Sequence, residues 1–325
     1  MARLFIDGYE ADDLTLWDTV GSATLAAAQT GMSGNYSLKL SPLGYVQRAL
    51  PSGAEIYFAL KYMPTDSVSA PHAILTLYHG SSPICRLDIS TTTAILRARR
   101  ASDILASGTT SLSLNTTYLI EGYIKVSDTV GRFVVDLNGV NQIDYTGDTN
   151  ESAYSTYDII RLGWYDSGTF GYAYIDDLVL DDAGWIGDTK IQGIRPTAVG
   201  NSAEWTPSAG ANWECVDEVP ADDGNWNEIN ANDKLDLFGM TDLTGNIEVI
   251  KCMQAQARTK KEGTPTPQNL KLALRTASTN YVSADKVVQT SYKPLFNIWE
   301  VNPNTSAAWI VSQVNGLEAG VKSAA

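Results

Sequence analysis

Apolar and polar residues alternate through most of the first 183 positions, in short runs cut by turn signals. Ile120, Gly122, Ile124 and Val126 alternate with Glu121, Tyr123 and Lys125. That period of two buries one face of a strand and leaves the other solvated. Asn138-Gly139 lies between two β-rich runs. It is a strong hairpin signal, because a type I′ turn needs positive φ at both central residues. Strands are predicted over 3–7, 36–40, 46–50, 56–63, 74–78, 86–90, 94–99, 118–126, 132–138, 159–164 and 174–180, with no convincing helix among them. Short strands at such regular spacing belong to an antiparallel sandwich or barrel.

The texture changes after Asp181-Asp182-Ala183-Gly184. Trp185, Trp205, Trp213, Trp226, Trp299 and Trp309 all follow that point, and prolines punctuate the segment. Strands are predicted over 188–195, 234–238, 247–257, 270–276, 286–289, 293–299 and 320–323. Over 304–317, Ala308, Val311 and Val314 approach helical spacing and Thr305 or Ser306 could cap, which predicts one short helix near the C-terminus. A chain of 325 residues exceeds what one hydrophobic core usually serves. The expectation is therefore an all-β protein of two domains: residues 1–183, an antiparallel sandwich, and residues 184–325, a second β-sandwich with the helix.

Charge narrows the partners. The formal net charge is −14, and acid exceeds base on both sides of residue 184. An acidic chain repels phosphate backbones, so no nucleic-acid partner is expected. No apolar run is long enough to span a bilayer, and no membrane partner is expected either. The opening MARLFIDGYEADDL lacks a basic region followed by an apolar stretch, which predicts no secretory leader. Cys85, Cys215 and Cys252 are too few and too scattered for a disulfide framework or a zinc site. They read as reduced core residues of a protein folded in a reducing cytoplasm, with a Cys215–Cys252 bridge as the alternative.

Candidate chemistry is sparse. His72 and His79 are the histidines, and neither has an evident nucleophile and acid partner. Glycoside hydrolysis needs two carboxylates flanking the scissile bond. The E-x-D-x-x-E strand pattern that would supply them is absent, and adjacent Asp176 and Asp177 are expected to point to opposite faces of a strand. Catalytic residues are therefore expected to be none, and the chain is expected not to be an enzyme. Arg97, Arg99 and Arg100 crowd one strand end; they read as a charged edge that resists sheet pairing, with a contact surface as the alternative. Trp164, Tyr165 and Tyr172, with Phe170 and Tyr174 around one turn, are candidate carbohydrate-binding aromatics, although core packing explains part of the group. Asp217, Glu218, Asp222 and Asp223 form an acidic loop that could hold Ca²⁺.

Several motifs carry a family resemblance. Phe5, Asp7, Gly8 and Glu10 open the chain; GNYSLKL follows at 34–40; the D-x-N-G hairpin and IDDLVLDD at 175–182 close the first 183 residues. In that order they resemble a concanavalin-A-like, laminin-G-like jelly roll. The resemblance implies that opening and closing strands are neighbours and that Asp7, Glu10 and Asp176 could hold a structural calcium, the one cofactor considered. A second set, GDTKIQGIRPTAVGNSAEWTPSAG, VDEVPADDG and WEVNPNTSAAW, resembles a region of tailed-bacteriophage virion proteins. It implies a structural or decoration protein of the capsid or tail surface, assembled in the host cytoplasm. Such a protein would act through contacts with other virion proteins, and closed particle symmetry favours a homo-oligomer. The alternative is a carbohydrate-binding adhesion module on a tail or fibre that meets a cell-surface glycan; a glycoside hydrolase ranks third.

Overall fold

The computed structural model describes residues 3–65, 72–151, 154–163, 171–263 and 267–325. The chain divides into two compact units, Met1–Gln192 and Gly193–Ala325. In the first unit the strands are β1 (Arg3–Asp7), β2 (Thr19–Ala27), β3 (Tyr36–Gly53), β4 (Glu55–Pro64), β5 (His72–His79), β6 (Ser82–Ile89), β7 (Ile95–Arg100), β8 (Asp103–Ser111), β9 (Tyr118–Lys125), β10 (Gly131–Leu137), β11 (Val140–Gly147), β12 (Tyr157–Gly163) and β13 (Ala173–Asp181). Every recorded pairing among them is antiparallel, in the order β11-β10-β9-β4-β13-β3-β12-β5-β6-β7-β8, with β1 beside β13 and β2 beside β3. The expected all-β antiparallel sandwich is what the chain forms.

One strand joins the two halves of this sheet. The first part of β3 pairs with β13, Leu38 opposite Ile175 and Leu40 opposite Ala173. Its last part pairs with β12, Val46 opposite Leu162 and Arg48 opposite Ile160. Sequence patterning splits this strand in two, over 36–40 and 46–50. The structure carries the strand through, with Leu43 at positive φ. At the far ends of the sheet, Gln142 Oε1 on β11 accepts hydrogen bonds from the backbone N–H groups of Thr109 and Thr110 on β8. A side-chain amide thus links two strands that have no ladder between them.

The core forms from alternate residues. From one half-sheet come Leu38, Phe58, Leu60, Ile120, Ile124, Phe133, Val135, Ile175 and Leu180; from the other come Val46, Leu75, Leu77, Leu87, Ala98, Ile160 and Leu162, all buried. Gly122 is required on that face, since a Cβ there would lie 2.4 Å from the Phe58 ring. Patterning passes over β2, β8 and β11. Their residues are mostly exposed or half-buried and too polar to show a clean alternation.

The boundary lies later than the texture of the chain indicates, at 192 instead of 183. Residues 184–192 are tied to the first unit. Glu121 accepts from the Ile186 and Gly187 N–H groups, Asp177 accepts from the Ile191 N–H, and Lys61 pairs with Asp188. The predicted strand over 188–195 does not form.

The second unit contains β14 (Pro196–Ala203), β15 (Thr206–Pro207), β16 (Asn227–Glu228), β17 (Leu235–Met240), β18 (Met253–Thr259), β19 (Asn269–Thr276), β20 (Thr279–Val282), β21 (Lys286–Val287), β22 (Lys293–Trp299) and β23 (Glu318–Ala324). A sheet in the order β14-β17-β23-β19-β20, with β21 on β19, is accompanied by the ribbons β15–β16 and β18–β22. Leu274, Trp309, Val314 and Leu317 form a buried cluster against Met240, Ile250, Met253 and Trp299. The helix α1 is only Val311–Asn315. Before it, Asn302 accepts from the Thr305 and Ser306 N–H groups through its carbonyl and from the Asn304 N–H through its side chain. Such local bonds compete with helix formation and hold 302–306 in a turn. No disulfide joins the cysteines among the described residues, so the bridge considered for Cys215 and Cys252 does not form.

Leu75 is fully buried at the centre of β5. Leu75→Ala should lower unfolding free energy by about 2–5 kcal/mol, the usual result of emptying a close-packed site. Urea denaturation measures this, and a loss below about 1 kcal/mol would contradict the packing described.

Candidate functional site

Because paired residues in a ladder share a face, the register of β3, β12, β5, β6 and β7 lays out what their other side presents. Gln47 lies opposite Arg161, Arg161 opposite Thr76, Thr76 opposite Arg86, and Arg86 opposite Arg99. These five polar side chains form one row across five strands, on the face turned away from Val46, Leu162, Leu75, Leu87 and Ala98. The row is recessed. Thr76 is fully buried and Arg86 buried, while Gln47, Arg161 and Arg99 are half-buried.

Arg161 is held on three sides. Its Nε and Nη2 donate to Gln47 Oε1 at 3.1 and 2.7 Å. Its guanidinium lies over the Tyr45 ring at 4.4 Å and over the Tyr78 ring at 4.6 Å. Tyr45 sits where Gly21 allows it, since a Cβ on Gly21 would come within 2.2 Å of its ring. No carboxylate pairs with Arg161 among the described residues. The Thr76 hydroxyl next to it is buried and has no hydrogen-bond partner there.

At the other end of the row, Asp88 is fully buried and collects three guanidinium groups. Arg97 Nε reaches Oδ1 at 2.7 Å, Arg99 Nη1 reaches Oδ2 at 3.3 Å, and Arg86 Nε lies 3.4 Å from Oδ2. Arg99 Nε has no hydrogen-bond partner among the described residues. The reading of Arg97 and Arg99 as an anti-aggregation edge is corrected by the register: β7 lies between β6 and β8, so it is not an edge. Arg100 does differ, pairing outward with Asp103 and Asp148. Arg161, Gln47 and Thr76 escaped the sequence reading because they come from three distant stretches. A charged residue inside the apolar run IIRLG was the signal available.

The aromatic candidates fall partly elsewhere. Trp164 and Tyr165 lie outside the described residues. Tyr172 is exposed, with the Lys39 ammonium 4.1 Å from its ring centre. His79 stacks on Tyr154 and its Nδ1 lies 3.0 Å from the Thr156 carbonyl oxygen.

The acidic candidates meet backbone donors. As the jelly-roll resemblance implies, β1 pairs with β13. Asp7 accepts from the Tyr9 N–H and Trp17 Nε1, and Glu10 accepts from the Asn35 and Tyr36 N–H groups. Asp176 accepts from the Asp177 and Ser33 N–H groups. Asp176 and Asp177 do not face opposite ways. A bulge in β13, with Asp177 at positive φ, brings both carboxylates to Ser33. Among the described residues no group of three His, Cys, Asp or Glu side chains is arranged to hold a metal ion, so Asp7, Glu10 and Asp176 are not brought together as one ligand set. In the other acidic loop, Asp222 accepts from the Gly224 and Asn225 N–H groups and Asp223 pairs with Arg258.

No family model and no curated protein matches this chain. Solved structures similar to it include the cellulose-induced protein Cip1, at 16% identity and TM-score 0.43, covering 55% of this chain and 97% of that one. The alginate lyase Aly36B is similar at 15% identity and TM-score 0.37, covering 46% and 80%. The carbohydrate-binding module CBM66 from Bacillus subtilis is similar at 12% identity and TM-score 0.35, covering 52% and 97%. The expectation that the chain is not an enzyme is corrected on this point. An alginate lyase is an enzyme, and a missing E-x-D-x-x-E strand excludes one catalytic arrangement only.

Burial lifts the Asp7 carboxyl to about 7, and burial with the neighbouring Asp177 charge lifts Asp176 to about 9, from an ordinary 3.8. Burial raises Glu10 and Asp177 as well. The folded state therefore binds more protons than the unfolded one between pH 4 and 9. This stabilisation is complete below the unfolded value and is lost as pH rises through the folded values. Unfolding free energy should fall from pH 5 to pH 9, by at most about 1.4 kcal/mol per pH unit for each proton retained. Asp176→Asn should flatten that slope. Urea titrations at several pH values measure both; stability that rises over the range would contradict the assignment.

Proposed function

We propose that the first unit is a carbohydrate-binding module whose site is the recessed row Gln47, Arg161, Thr76, Arg86 and Arg99. The observation that carries this reading is the row itself, in which Gln47, Arg161 and Arg99 remain half-buried and reach the surface beside the buried Thr76 and Arg86. Its hydrogen-bonding groups are held by adjacent strands about 4.8 Å apart. That spacing is close to the length of one sugar ring. Polar side chains in such a row suit the closely set hydroxyls of a saccharide, and the ladder holds them without the entropy loss that loops would suffer on binding.

The similar solved structures include a carbohydrate-binding module, which is in keeping with this reading; the row of side chains is what it rests on. The C-terminal motifs that resemble phage virion proteins support placing the module on a particle surface, where glycan binding would serve attachment to a cell.

Gln47→Ala removes the amide at one end of the row. Against a panel of neutral and acidic oligosaccharides, the protein should bind a subset, and Gln47→Ala should weaken that binding about tenfold. Arg99→Gln should weaken it too. Affinity unchanged in both variants, or no binding anywhere on the panel, would overturn the proposal.

A further inference from the structure

The charge on the row goes further than general saccharide binding, and the inference rests on that reading. We infer that Arg161 reads a sugar carboxylate, so that the ligand is a uronic-acid-containing glycan. A guanidinium carries five N–H donors. Gln47 Oε1 takes one from Nε and one from Nη2. The remaining donors, on Nη1 and Nη2, form the end-on fork that matches the two oxygens of a carboxylate. The contacts with Tyr45 and Tyr78 are cation–π contacts of the guanidinium carbon with the two rings, not hydrogen bonds that would consume a donor.

Three facts make Arg161 a recognition group and not a structural one. It has no carboxylate among the described residues, in a chain where acidic side chains outnumber basic ones 37 to 23. Its partner in the ladder is a neutral amide, where an acid would have neutralised it. Its orientation is set by that amide and by two aromatic rings, so little side-chain freedom remains to be lost on binding. Asp88 has the opposite arrangement: it already gathers guanidinium groups and serves to hold the far end of the row in place.

The overall negative charge does not defeat such a site. At physiological ionic strength, charges farther than about 8 Å are largely screened, while a contact pair in a recess is screened much less. Affinity for the acid should still fall as salt is added.

Oligomers of galacturonate, mannuronate and glucuronate, each as the free acid and as the full methyl ester, separate the inference from the reading beneath it. The full chain should bind at least one free acid about ten- to a hundredfold more tightly than its ester, as a charged hydrogen-bond pair provides. Arg161→Lys keeps the charge and loses the fork, and should lose most of that preference. Gln47→Glu places a carboxylate against Arg161 with almost no change of shape, and should bring acid and ester to equal affinity. This variant decides the matter if Arg161→Lys does not fold. Equal binding of acid and ester by the unaltered protein would overturn the carboxylate inference and leave saccharide binding standing. A preference for the acid that persists in Gln47→Glu would also overturn it. Binding of neutral oligosaccharides alone would do the same, and binding of no saccharide would remove the reading with the inference.

Discussion

Side chains of a strand alternate between two faces, so the register of β12 against β3 and β5 decides what both faces of the first unit contain. With Arg161 opposite Gln47 and Thr76, Ile160 and Leu162 enter the core beside Val46, Leu75 and Leu77. A slip by one residue would bury the Arg161 guanidinium and expose both apolar side chains. The core therefore selects the register, and the register sets the recessed row. Gly122 and Gly21 serve the same order on opposite faces, one making room for Phe58 inside and the other for Tyr45 outside.

Much of this was legible in the alternation of the chain. The bounds of β1 and β22 follow directly from it, and those of β4, β9, β10, β13 and β19 lie within a residue or two. The polar strands β2, β8 and β11 were not legible, because a strand at the margin of a sheet shows no clean period. The helix was overestimated because Asn302 captures backbone donors that a helix would have used. Asp176 and Asp177 were misplaced because a bulge reverses the parity on which strand reasoning depends. Arg97 and Arg99 stood out in the sequence, but their role needed the knowledge that β7 has neighbours on both sides. Arg161 needed the pairing of three strands that are far apart in the chain.

Two sets of charges are handled differently within the first unit. Near the junction of β1 and β13, Asp7, Glu10, Asp176 and Asp177 are met by backbone N–H donors, and burial favours their protonated forms. On the far side of the sheet from the core, Asp88 stays encircled by guanidinium groups, while among the described residues Arg161 donates to Gln47 and pairs with no carboxylate. The first arrangement makes stability depend on pH. The second leaves a cation available for binding, held in place by neutral groups.

A crystal structure of the protein grown with a saturating acidic oligosaccharide tests the central claim most directly. The sugar is expected along the row from Gln47 to Arg99, with a carboxylate on the Nη1 and Nη2 atoms of Arg161. A saccharide bound elsewhere on the molecule, with Arg161 untouched, would contradict the account.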